Sequence, residues 1–575
     1  MTLESRLDAW SRGWRGPLFA ALLAMVAGLP GLLAMPPLDR DESRFAQATA
    51  QMLETDDMVV IKFQDQPRFK KPVGIHWLQA VTVSLVSAAE DRGIWAYRLP
   101  SLLGAMLAAA ACAWGAAALF DPRTGLLAGA ILGASFLLSS EAFIAKTDAA
   151  LCGFTTLAMA ALARIYADHL AGNRPGHWTK LAFWTGLSGA ALIKGPVGLL
   201  TVIFAALGLW AWDRKGAWLK DLGWGWGLIL FASVVLPWAM MITVATDGAF
   251  WGVAIAGDLA PKLIGGQEGH SGPFGYHTLL SPLLIYPSTL LLPAALVLAW
   301  TGRAEPGVRF AVCWLLPTWL MFEILPTKLA HYTLPGLGGL ALLLAATVRA
   351  PLQDAVRRLG AGLTVMVSLL LSAVAVFGMT EFGRGADLVW TVLTVLLLLA
   401  TGALGSLLLL RRQSARALVI SGALGIAAHA SLVGGLLPHL EPLFLSKSVA
   451  DALERAKLSP RSGAPGPVAV TGYSEPSLVF LLGTATELTD GEAAAQAIAE
   501  GRPAVVEARE EAVFRKALIA EGLTPRPVAV ITGQNYSDGD DERLTVYRGE
   551  PQPAPPLGTL SVEDPVAMPQ IQERP

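Results

Sequence analysis

Short clusters of acids, cations and hydroxyls interrupt an otherwise apolar chain. In Pro36-Pro37-Leu38-Asp39-Arg40-Asp41-Glu42-Ser43-Arg44-Phe45, three carboxylates follow directly on an apolar run. A carboxylate placed there can take a proton from an attacking hydroxyl or hold a cation. It can equally cap the helix whose apolar stripe is Phe45, Ala48, Met52 and Leu53, and the two roles are compatible. In Pro67-Arg68-Phe69-Lys70-Lys71-Pro72, adjacent lysines can bind a phosphate as compact point charges or sit among lipid headgroups. Ala145-Lys146-Thr147-Asp148 places an acid at a helix start, where it is a cap or a site residue. Ile193-Lys194-Gly195-Pro196 puts a lysine at the tip of a hairpin turn. Lys328-Leu329-Ala330-His331-Tyr332 packs a cation, an imidazole and a phenol between Pro326 and Pro335. Finally, Gly265-Gly266-Gln267-Glu268-Gly269-His270-Ser271-Gly272 reads as a lid or acceptor-binding loop, or as a connector.

The elements that carry these clusters are membrane helices. The chain has 575 residues, 54% hydrophobic and only 15% charged, with a mean hydropathy of +0.51, which excludes an ordinary soluble protein. A net charge of -2 argues against a nucleic-acid partner. Cys112, Cys152 and Cys313 stand singly in apolar runs, so they suggest neither a disulfide framework nor a metal site. Thirteen apolar runs between residues 17 and 437 are long enough to be spans, given about 20 residues per crossing. Residues 73 to 89 are too short and carry His76, Gln79, Ser84 and Ser87 toward one side, an interfacial-helix pattern. With that helix on the membrane, alternate loops hold the Arg and Lys clusters, from Arg123 to Arg416, and the positive-inside rule makes those loops and the N-terminus cytoplasmic. The six clusters then share the opposite, extracytoplasmic side.

Residues 1–440 read as one transmembrane domain. Residues 441–550 alternate period-two runs (VAVTGY, AVVEA, PVAVITG, LTVYRG) with helical stretches and read as a small α/β domain, outside by the parity of thirteen crossings. Residues 551–575 form a proline-rich tail.

In their order along roughly the first 350 residues, Asp41-Glu42-Ser43-Arg44-Phe45, Lys71-Pro72, Asp148, Lys194-Gly195, Leu236-Pro237-Trp238 and Lys328-Leu329-Ala330-His331-Tyr332 resemble the GT-C class of lipid-linked sugar glycosyltransferases. The likeness is to bacterial aminoarabinose (lipid A) transferase-like proteins and their protein O-mannosyltransferase relatives. That resemblance implies a thirteen-helix GT-C fold with interfacial helices in the first outer loop and a periplasmic C-terminal domain in the bacterial inner membrane. It implies transfer of a sugar from a polyprenyl phosphate, such as undecaprenyl phosphate, to lipid A, core or other glycan, or protein. It makes Asp41 the main catalytic acid, with Asp148 and Glu42 in support. It assigns the donor phosphate to Lys71, Lys194, Lys328, His331 and Tyr332, and leaves Glu268 and His270 to an acceptor or lid role.

The resemblance departs at one place. Aminoarabinose transferases carry a metal-associated glutamate just before the Lys-Pro pair, where this chain has Lys70. A cation cannot be that ligand, so the divalent metal that the resemblance allows is put in doubt by Lys70, and no other cofactor is expected. The competing classes are a transporter or flippase of lipid-linked saccharides and a non-catalytic envelope-assembly protein. Transporters place charge near the midplane, often in repeated halves; here charge gathers at one face and no repeat is visible.

Overall fold

A computed structural model describes residues 3–264 and 271–549. The described residues fall into two compact units: those of 3–450 with 475–485 and 532–542, and those of 451–474, 486–531 and 543–549. Residues 441–450 thus group with the membrane helices. The tail 551–575, Glu268 and His270 lie outside the described residues.

The first unit is a bundle in which, among the described residues, ten helices are long and apolar enough to cross a bilayer. The pair Tyr276–Leu284 and Ser288–Thr301 is apolar enough together but bent by 117°, the geometry of a broken span or a re-entrant loop. The other two apolar runs are also helical but broken or less apolar: Pro122–Gly133 followed by Phe136–Glu141, and His177–Lys194. The chain is a multi-pass membrane protein, and helices are what a chain without water must form to satisfy its backbone. The breaks are written locally. Asp121 accepts from Thr124 N at 2.9 Å with Pro122 at the first helical position, and Ser135 caps Phe136–Glu141. At Gly195 the backbone turns with φ +59°, which joins His177–Lys194 to Pro196–Asp213.

Helices Ile94–Leu119 and Thr147–Leu170 carry Arg98 and Asp148, and small residues bring them together. A Cβ on Gly104 would meet Ala150 Cα at 2.5 Å, the close backbone approach typical of membrane helix pairs.

Between the first two spans lie helices Asp41–Thr55 and Gly74–Val86. At 13 residues the second spans only about 20 Å, well short of a bilayer. Its polar residues do not share one wet face. His76 and Gln79 turn inward and are buried against Thr49, whose Oγ1 lies 2.8 Å from His76 Nδ1 and donates to Gln79 Oε1 at 2.7 Å. Ser84 is exposed, beside the exposed apolar residues Val81, Leu85 and Val86.

In the second unit, strand Ala469–Thr471 pairs in parallel with Glu487–Thr489 on one side and Ala504–Glu507 on the other. The last of these pairs antiparallel with the end of Asp540–Tyr547, Ala504 opposite Tyr547. Helices Gly491–Ala499 and Glu511–Ala520 cover the sheet through Ala494, Ile498, Phe514 and Leu518. This is the α/β unit read from the alternating runs.

Candidate active site

At one end of the bundle, within the first unit, is a cavity of about 280 Å³. Asp41, Lys71, Asp148, Lys194, His331 and Tyr332 all line it, although the sequence spreads them over almost 300 positions. Asp41, Asp148 and Lys194 come from helix ends, Lys71 from the loop before Gly74–Val86, and His331 and Tyr332 from the short turn Ala330–Thr333.

Asp41 is the first residue of Asp41–Thr55. The residue before it, Arg40, sits at φ +57° and makes no side-chain cap. Neither Asp39 nor Asp41 is the N-cap, so the capping role does not occupy Asp41. Its side chain is about half exposed (54%), with Arg68 Nη2 at 3.8 Å. Burial works against its charge, but Lys71, Arg68, Lys146 and Arg44 outweigh that and hold the carboxyl below the usual range. Lys71 lies over the Phe45 ring, 5.2 Å from its centroid, with Arg68 on the same ring at 4.8 Å.

Asp148, in the first turn of Thr147–Leu170, gathers three partners. Lys194 Nζ is 2.5 Å from Oδ1, and Lys146 Nζ and His331 Nε2 are each 3.8 Å from Oδ2. Lys194 also lies over the Tyr332 ring at 5.4 Å. Lys146, just outside the span, keeps its charge firmly. Burial opposes that charge, but Glu141 at 3.0 Å and Asp148 outweigh the burial and push the ammonium up.

Two candidate residues sit elsewhere. Lys328 is buried away from the cavity, and its Nζ donates to the carbonyls of Phe322 and Glu323 at 2.9 and 2.6 Å. It caps the C-terminal end of Pro306–Ile324, whose last carbonyls lack helical partners. Glu42 also faces inward. Its oxygens accept from Arg98 Nε and Nη2 at 2.8 and 2.7 Å, from Ala145 N at 2.7 Å and from Leu38 N at 2.8 Å. It builds the site without touching the cavity.

Sequence reasoning gave no site role to Lys146, Arg68 or the wall from Phe250 to Lys262, of which it placed only Asp258 and Lys262 at the outer face. The stretch leading into the glycine-rich segment that starts at Gly265 is helical over Ala249–Gly252, Val253–Leu259 and Ala260–Ile264, the middle stretch a π-helix. It turns Phe250, Trp251 and Asp258 toward the cavity, with Asp258 bonded to Lys262 at 2.7 Å. The clustered aromatics Phe250 and Trp251 were the available signal, lost because the glycines that follow suggested a loop. Lys146 was hidden by its neighbour Asp148, the more conspicuous residue at a helix start.

The donor set does not fit a resident metal. Among the described residues no three His, Cys, Asp or Glu side chains converge as ligands, and Lys70 itself lines the cavity. Asp41 and Asp148, the acids nearest, are already engaged by cations.

Residues 80–251 match the dolichyl-phosphate-mannose-protein mannosyltransferase family model. The undecaprenyl phosphate-alpha-4-amino-4-deoxy-L-arabinose arabinosyl transferase of Pseudomonas paraeruginosa is 31% identical over 359 residues, 60% of this chain. The homologous enzyme 2 of Pseudomonas fluorescens is 26% identical over 371 residues, 64% of this chain and 66% of its own length. The match spans 63% of the length of the first of these curated relatives. The crystal structure of ArnT from Cupriavidus metallidurans bound to undecaprenyl phosphate superposes with a TM-score of 0.73 at 18% identity, covering 92% of this chain and 97% of that one. The chain is a multi-pass membrane protein with the fold of that structure, and it is similar in sequence to the aminoarabinose arabinosyl transferases over about three fifths of its length.

Proposed function

We propose that this protein is a glycosyltransferase that moves a sugar from a polyprenyl-phosphate carrier to a cell-envelope acceptor, on the outer face of the bacterial inner membrane. The observation that carries the reading is the convergence of an ionised acid, Asp41, with Lys71, Lys194 and Lys146 in one cavity at one end of a membrane bundle. The names of its sequence relatives, which use undecaprenyl phosphate-linked aminoarabinose, support it.

In the reaction an acceptor oxygen attacks the anomeric carbon, a new C–O bond forms, and the bond to the donor phosphate oxygen breaks with its electron pair. The polyprenyl phosphate leaves as an anion and needs no proton. Lys71 and Lys194 stabilise the charge that develops on it, with Lys146 behind them. A hydroxyl acceptor gives its proton to Asp41. A phosphate acceptor has none to give, and Asp41 then orients it or stabilises positive charge on the sugar. Asp148 holds Lys194 and His331 in place.

The test is reconstitution in liposomes with a synthetic polyprenyl phosphate-linked sugar and envelope glycolipids, followed by mass spectrometry of the products. A sugar-sized mass gain on an acceptor, absent with Asp41→Asn, is the expected result. Movement of the intact lipid-linked sugar between leaflets with no transfer would establish the flippase class instead.

A further inference from the structure

His331 lies in the cavity wall between two carboxylates and an ammonium that share it. Its Nδ1 faces Lys146 Nζ at 3.4 Å and Glu141 Oε1 at 3.8 Å, while its Nε2 faces Asp148 Oδ2 at 3.8 Å. An ammonium can only donate. The contact from Lys146 therefore makes Nδ1 an acceptor and leaves the ring hydrogen on Nε2.

Lys146 is held to that task by Glu141, the last residue of Phe136–Glu141. Glu141 bonds its Nζ at 3.0 Å, is itself 6% exposed, and does not line the cavity. Its other oxygen, Oε2, is buried with no hydrogen-bond partner among the described residues. Glu141 is thus a strong acceptor beside Nδ1, kept from the imidazole by the lysine between them. Without Lys146, Glu141 would draw the ring hydrogen to Nδ1, because the charge of its rival Asp148 is already neutralised by Lys194, bonded to Oδ1 at 2.5 Å.

We infer that Glu141 and Lys146 are positioning residues that set His331 in its Nε2–H form, so that the ring presents a hydrogen-bond donor to the anionic side of the cavity. There it serves Asp148 at rest and, on the transferase reading, the leaving phosphate during transfer. An ammonium and an Nε2–H then meet the phosphate together, while the carboxylate that arranges them stays out of its reach.

The tautomer can be read without substrate. In protein labelled with 15N-histidine, the His331 signals, identified by their loss in His331→Gln, should show Nε2–H. In Lys146→Met they should switch to Nδ1–H. In the double variant E141Q/K146M the anionic competitor is gone, Asp148 is the one carboxylate facing the ring, and Nε2–H should return. With donor, kcat should follow the tautomer: a loss of about 10²-fold in Lys146→Met, the scale for removing one preorganised donor, with little change in KM. The double variant should recover at least about tenfold of it although it carries one substitution more. Nδ1–H in the wild type, an unchanged tautomer in Lys146→Met, or a double variant no more active than the single one would each overturn the inference. Inactivity of the wild type itself, with the tautomers as stated, would count against the transferase reading and leave the positioning role standing.

Discussion

Glu42 and Arg98 form a two-pronged ion pair sealed inside the bundle, 1% and 0% exposed, one residue from the acid that faces the cavity. Arg98 also donates to the carbonyls of Met35 and Pro36 at 2.6 and 2.8 Å, at the end of the first span. With Ala145 N bonded to Glu42, this one pair fixes the chain positions next to both Asp41 and Lys146.

Removing one member of such a pair leaves an uncompensated buried charge, which typically costs about 3–5 kcal/mol. Arg98→Met and Arg98→Ala should therefore lower the thermal midpoint of the detergent-purified protein by many degrees and reduce the folded yield. Glu42→Gln, which keeps hydrogen bonding, should be milder in the same melt.

Asp41→Asn should behave in the opposite way, folding normally and losing about 10²- to 10⁴-fold in turnover if the acceptor is a hydroxyl. Normal turnover at normal abundance would remove Asp41 from the chemistry and leave Asp148 as the next candidate.

Asp39, two residues earlier, affects stability instead. Burial raises it from 3.8 to about 7, against hydrogen bonds from Ser477 and Tyr536 that act downward and with Glu475 pushing up. The folded state then binds this proton more tightly than the unfolded chain, so its contribution is present at low pH and lost as pH rises from about 4 to about 7. Asp39→Asn should flatten that part of the stability curve, measured as thermal midpoints at pH 5 and pH 8, while transfer changes little.

Lys71 should set the alkaline limb of activity. Burial pushes it down to about 8, assisted by Lys194 and opposed by Asp41 and Asp148. On the transferase reading, the donor phosphate loses a cation above that pH, so kcat/KM should fall. Lys71→Arg, whose guanidinium stays charged, should keep part of the activity and move the limb upward. An unmoved limb would assign it to another group.

The lysines 194 and 328 should separate by assay. Lys194→Ala should cut turnover in protein of near-normal stability. Lys328→Ala, which uncovers two helix-end carbonyls, should lower the melting midpoint first and change kcat little in the fraction that remains folded. A labelled cysteine at Glu90, beyond the 13-residue helix that cannot span, should react from the same side as one placed after residue 440.

Much of the architecture is legible in the residues themselves. Runs such as 387–410 and 224–246 can only be helices in lipid, the charges collect at one set of helix ends, and VAVTGY and AVVEA alternate as strands must. Identity and order along the chain also brought out Asp41, Lys71, Asp148, Lys194, His331 and Tyr332, because charges at membrane depth stand out against an apolar background. Which of two neighbours faces the cavity was not legible. Asp41 and Glu42 are alike in sequence, but successive helical residues point about 100° apart, and only the approach of Arg98 from another helix decides that Glu42 is the buried one. Lys328 and Lys146 differ in the same way. A lysine beside a helix end satisfies whichever groups lie within reach of its four-carbon stem, carbonyls for one and carboxylates for the other, and those partners come from chain segments far away in sequence.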